Sequence, residues 1–457
     1  MSISHGIVEE FLDRSGLPTY QKMVVHTQKT LERYADLVTV TRVGVSGQGE
    51  PIDMISIGDG PMSALLVGAP HPSELVGCVM IEQLIDRLCA DPEFRRAWPY
   101  RWHFIKAIEP DALRLNEGWF SSPGDLLRFH ENFYWPPFDQ QAEYTFPFDD
   151  DDRLARHPMP ENAAWRKAIE LAKPDFLYSL HNTGFGGAFF IASEMPAGLA
   201  GVLKALCTTH GLTLNPVGDA GILDRWEPGI FRFPDMRKLR TNNATPAEPG
   251  TRTLGNSSAG YVRPSGTFEL IAEVSYWESD RLRDSAESPR SRADIEAELG
   301  PLTDEVVTLA QRALSLDCAA SHPVGRNMWR VVRMHCGDFE NRDRTVMQDP
   351  VQDQTLTWAE YTIRRVGGTL ERLTTVALAR RFALLSLDRT EGFRLASACD
   401  RVLAAQIDAL IHQDGVRPVP FKQLVQFQRD AGLAVMRKLA ERPRKAASRA
   451  ASQRQRR

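Results

Sequence analysis

Twelve residues constrain this chain more than any others: Ser63-Ala64-Leu65-Leu66-Val67-Gly68-Ala69-Pro70-His71-Pro72-Ser73-Glu74. The small and apolar run is short enough for a buried strand, and it stops at Pro70. His71 and Glu74 follow, three apart, in the turn before a helical pattern begins at Leu75. An imidazole and a carboxylate are thereby set at the C-terminal end of a strand, where open α/β sheets carry ligands and active sites. Such a pair fills two places around a zinc ion. A catalytic zinc then needs one more protein ligand from elsewhere and an open position.

The surroundings of this stretch read as an α/β domain. Residues 1–35 carry apolar residues at helical spacing, and Leu37 to Val45, Ile52 to Ile57 and Ala64 to Ala69 read as strands. Leu75 to Leu88 is an amphipathic helix with Val79, Ile81, Ile85 and Leu88 on its apolar side, and Trp102 to Ile108 is the next strand. Strand, helix, strand in this order implies parallel strands in a doubly wound sheet. Residues 109–160 are rich in Pro, Asp and aromatics with little periodicity, and a long irregular insert of this kind is more often functional than idle. Phe176 to Leu180 is a strand ending at His181-Asn182, and Gly266 to Trp277 reads as one long apolar strand carrying Glu269 and Glu273.

After Trp277 the period becomes helical, over 290–316 and 354–440, with charges on the outer faces. The expected organisation is a catalytic domain over 1–284, an α-helical domain over 285–436 and a basic, disordered tail over 437–457. That tail, from Arg437, holds nine Lys/Arg against one Glu and reads first as solubilising. The amphipathic helices before it suit either a cover for the mouth of a site or a contact in a homo-oligomer.

Charge and cysteine usage narrow the class. A net charge of −4 gives no general attraction to nucleic acid, which leaves the tail as the one basic element. The first residues have neither a basic start nor an apolar run, so no signal peptide is expected, and no run of 18 apolar residues predicts a membrane span. The six cysteines are scattered without a close pair and read as the reduced thiols of a cytoplasmic protein.

Three features fall at strand ends: His71 with Glu74, His181, and a Glu of the late strand. A Glu within an apolar strand is costly unless its charge is used or paired. Two imidazoles and a carboxylate for zinc, with a second carboxylate as base and acid, would activate a metal-bound water against a carbonyl. The combination resembles the zinc carboxypeptidases of the M14 family, in particular a bacterial branch. The resemblance covers about residues 40–280 and rests on Gly68 to Glu74, on Pro110 to Phe120 (Pro-Asp-Ala-Leu-Arg-Leu-Asn-Glu-Gly-Trp-Phe), on Ser179 to Asn182 and on the late strand.

The resemblance implies a doubly wound mixed sheet of the zinc carboxypeptidase type with a C-terminal helical extension. It implies zinc held by His71, Glu74 and His181, and a Glu of the late strand as general base. Glu269 and Glu273 share a strand face but stand about 13 Å apart at ~3.3 Å per residue. Glu273, nearer the C-terminal end, is the choice. The family's Asn-Arg carboxylate clamp has no match after Asn116, where Glu117 follows. Arg114 is then the expected oxyanion stabiliser, with Arg128, Asn116 and Asn182 as substrate contacts. Without a clamp, the substrate is a peptide or a small acylated amine, and an amidase or deacylase stands beside a carboxypeptidase. A binding protein with a vestigial metal site is the reading from a different class.

Overall fold

The structure, a computed structural model, describes residues 16–148, 154, 156–218, 223–238, 254–317, 322–346 and 354–442. Residues 1–15 of the stretch expected to be helical and most of the basic tail lie outside these.

Among them, α1 (Tyr20–Arg33) leads into β1 (Val38–Val45), β2 (Pro51–Ile57) and β3 (Met62–Gly68). Next come α2 (Val76–Ala90), β4 (Tyr100–Ile105), α3 (Pro160–Ala172), β5 (Phe176–Leu180), β6 (Thr183–Phe185), β7 (Phe189–Ala192) and α4 (Leu199–Thr209). Then follow β8 (Arg225–Glu227), β9 (Ile230–Arg232), β10 (Phe268–Glu273) and β11 (Ser275–Glu278). The main sheet has the order β1-β2-β4-β3-β5-β10-β7-β9-β8. Its four central strands, β4, β3, β5 and β10, run parallel, whereas β1 on β2, β2 on β4 and β7 on β10 are antiparallel. The sheet is therefore mixed, as the resemblance implies, with parallel pairing at its centre and again between β7 and β9.

The alternation along β3 explains why it is apolar throughout. Ala64 and Leu66 enter the core beneath α2, while Leu65 and Val67 enter the core shared with Trp165 and Ala168 of α3. A strand covered on both faces has no side left for polar residues. Gly77 brings α2 down onto β5: a Cβ there would lie 2.3 Å from the Leu180 Cβ.

The late apolar run is two strands. β10 pairs with β5 in the main sheet, and β11 pairs with β6 and with Arg417–Pro418 in a second, small sheet. The break falls at Val274, immediately after Glu273.

Beyond it, α5 (Arg292–Leu314), α6 (Pro323–Val346), α7 (Trp358–Ala383) and α8 (Arg389–His412) pack on one another. Capping boxes start two of them, Ser291 with Asp294 for α5 and Thr357 with Glu360 for α7. The last helix, α9 (Phe421–Ala440), packs against α2 and α4. It lies on the main sheet: the Tyr178 hydroxyl of β5 donates to Gln428 O, and the Gln428 amide donates to His181 O at 2.6 Å and Ala272 O at 3.1 Å. Among the described residues no helix is long and apolar enough to cross a membrane.

Candidate metal centre

β3, β5 and β10 are consecutive and parallel in the sheet, so their C-terminal ends share one edge. His71 follows β3, His181 follows β5, and Glu273 closes β10. Parallel pairing thus converts three distant segments into one site. At the end of β3, Ala69 takes a left-handed φ of 45°, a conformation that costs an L-residue strain and turns the chain out of the strand.

The Glu74 carboxylate lies between the two imidazoles. Its Oε1 is 2.8 Å from His71 Nδ1 and its Oε2 is 3.1 Å from His181 Nδ1. The rings stand edge to face with centroids 4.8 Å apart. All three residues are buried, and one ligand atom from each falls within 4.8 Å of the others. His71 packs against Trp135 and Tyr144, and its Nε2 is buried without a hydrogen-bond partner among the described residues. Burial raises the Glu74 carboxyl, but His71 and His181 outweigh it and bring it down to about 2. A buried group of two borderline nitrogens and one carboxylate has the composition and spread that a zinc ion requires, so the residues fit the metal that the sequence pattern implies.

Neighbouring groups hold the frame. The Tyr276 hydroxyl accepts from Leu75 N and donates to Ser73 O, pinning the loop that carries Glu74. Asn182 Oδ1 accepts from Val76 N, tying the start of α2 to the end of β5. These residues open onto a cavity of about 570 Å³, lined also by Glu143, Glu273 and apolar groups including Phe133, Trp135, Ile191, Phe233 and Trp277. Leu370 and Thr374 of α7 line it too, so the helical region beyond 285 contributes to the cavity wall.

The structure brings together His71, Glu74, His181, Asn182 and Glu273. Glu269 lies deeper, fully buried beside Ser258 and away from the cavity lining. Arg114 does not reach the cavity. It pairs with Glu50 at 2.8 Å, and its guanidinium lies 5.3 Å from the centre of the Tyr20 ring. Arg128 donates to Gly118 O at an exposed position. Asn116 is a buried staple that donates to Ala112 O and Tyr134 O and accepts from Tyr134 N. Arg114, expected as the oxyanion stabiliser, and Arg128 and Asn116, expected as substrate contacts, thus make structural contacts instead, and no Lys or Arg lines the cavity among the described residues. Glu143 escaped the sequence reading because it sits in an acidic, aperiodic insert with no motif around it.

No family model matches this chain, and no curated protein matches it. Among solved structures it is similar to a putative metallopeptidase from Shewanella denitrificans, at 11% identity and a TM-score of 0.37 over 56% of this chain and 81% of that one. It is similar to a metallo-carboxypeptidase from Burkholderia cenocepacia, at 15% identity and a TM-score of 0.32 over 57% of this chain and 60% of that one. It is similar to a carboxypeptidase A from Helicoverpa armigera, at 12% identity and a TM-score of 0.36 over 57% and 65%. The chain therefore spans less than two thirds of the length of the last two.

Proposed function

We propose that this protein is a zinc-dependent hydrolase of peptide or amide bonds. The observation that carries the reading is the convergence of His71, Glu74 and His181 within 4.8 Å on a cavity whose wall also carries the Glu273 carboxylate. A zinc ion held by those three residues supplies Lewis-acid polarisation of the substrate carbonyl and acidifies water. Glu273, at the end of β10, takes a proton from the attacking water and returns it to the leaving nitrogen, the work of a positioned general base and acid. Trp135, Tyr144 and Phe133 screen the site from bulk water, which strengthens each polar interaction inside it.

Within this class, the apolar lining favours a substrate that presents an uncharged group to the cavity: an acylated amine or a peptide with a blocked or distant terminus. The test is a mass-resolved assay of the zinc-loaded protein on short peptides, C-terminally amidated peptides and N-acyl amino acids, with and without chelator. Chelator-sensitive cleavage of amidated or acylated compounds supports the reading. Cleavage confined to free C-terminal carboxylates restores a strict carboxypeptidase. Purified protein that holds no zinc and hydrolyses nothing overturns the proposal.

A further inference from the structure

Behind His181 lies a chain of buried polar groups that the hydrolytic reading does not use. Ser258 Oγ is 2.7 Å from Glu143 Oε1 and 2.6 Å from Glu269 Oε1. Ser258 N donates to the same Glu143 oxygen at 3.1 Å. On the other side, Glu143 Oε2 is 3.5 Å from Ser179 Oγ, which is 3.0 Å from His181 Nε2. Glu143, Ser179, Ser258 and Glu269 are all buried.

Counting protons orients this chain. A hydroxyl has one hydrogen to give, so Ser258 Oγ cannot donate to both carboxylates. Two short contacts require that one carboxyl be protonated and donate to the hydroxyl. Glu143 is the acceptor, because its Oε1 also receives the Ser258 N–H. Glu269 is then the neutral acid. Its other oxygen is buried without a hydrogen-bond partner among the described residues, a position a neutral carbonyl oxygen tolerates better than a carboxylate. Burial and the nearby Glu143 carboxylate hold the Glu269 carboxyl well above the usual range, against the opposing effect of Ser258. At the far end, Ser179 occupies His181 Nε2, so Nδ1, which faces Glu74, is the nitrogen left for a metal.

We infer that Glu143 is a positioning residue for His181: through Ser179 it holds the Nε2 proton in place and leaves Nδ1 as the ligand atom, while neutral Glu269 anchors Glu143 through Ser258. Outer partners of this kind set the tautomer and ring orientation of ligating histidines. The inference rests on the reading of His181 as a ligand.

The test is zinc affinity of the full chain, by competition against a chromogenic chelator, with thermal midpoints recorded alongside. Glu143→Gln and Ser179→Ala each weaken zinc about 10–100-fold. The double variant loses no more than the worse single one, because the two act on one bond. Glu269→Gln leaves affinity within about twofold, since its amide donates to Ser258 as the neutral acid does. Additive losses, a Glu143→Gln affinity equal to wild type, or a Glu269→Gln loss as large as that of Glu143→Gln overturns the inference while wild-type zinc binding leaves the functional reading standing. A wild type that binds no zinc overturns both.

Discussion

Replacing Gln428 with leucine removes a buried amide that bridges two strands where they part. β5 and β10 pair from Phe268 with Phe176 to Ile271 with Ser179. Beyond that register, the Gln428 amide of α9 donates to the carbonyls of His181, a member of the candidate metal centre, and of Ala272, the neighbour of Glu273. Gln428 is fully buried, so neither carbonyl gains a water in its place. A buried acceptor left unmade costs about 1–3 kcal/mol, or roughly 2–6 kcal/mol for the two. The entropy of unfolding scales as ~2.1 cal/mol/K per residue, so the midpoint of a chain this long falls by about 2–6 °C. Gln428→Glu separates donation from size. Its carboxyl donates only when protonated, and burial raises its folded pKa above the unfolded value. The one O–H of its protonated carboxyl serves only one of the two carbonyls, so below about pH 4 the variant lies between Gln428→Leu and wild type, and it loses further stability as pH rises through and above that value. Differential scanning fluorimetry of both variants from pH 4 to 8 reads this. A Gln428→Leu midpoint within about 1 °C of wild type, or a Gln428→Glu penalty that does not grow with pH, refutes the reasoning.

Three further outcomes are expected. Glu273→Gln keeps its zinc content and loses turnover by about 10²–10⁴-fold, whereas Glu269→Gln keeps turnover; single-turnover kinetics on metal-loaded protein checks both. Arg114→Ala leaves turnover within a fewfold of wild type and costs at most about 1 kcal/mol in a urea titration, because a partly exposed Arg114–Glu50 pair contributes little. Burial, helped by Arg101 at His103, holds His103 and His130 down at about 4. Both are neutral when folded and take up protons on unfolding once the pH drops below about 6.5. Their contribution to stability is therefore full above that pH and is lost progressively toward pH 4. His130→Phe should flatten that part of the stability profile, and an unchanged slope would count against the assignment.

Much of the site could be read in the sequence because each key residue stands at a strand end, and strand ends announce themselves locally. The apolar run that stops at Pro70 sets His71 and Glu74. The run that stops at Leu180 sets His181, and Glu273 closes its own strand. The α/β class with helices at the C-terminus follows from period alone. Tertiary structure decided what depends on distant partners. Strand direction at the sheet edges, the break at Val274, and the return of α9 to the sheet are set by pairing and packing over a hundred residues or more, which period does not encode. Arg114 and Asn116 sit in a motif-like segment, yet their side chains satisfy Glu50 and main-chain groups of the insert. Glu143, which no pattern marks, and Leu370, whose helical period marks only a buried helix face, reach the cavity because the insert and α7 fold over the edge where the parallel strands end. Local sequence sets which groups stand at a strand end, and long-range packing sets which other groups they meet.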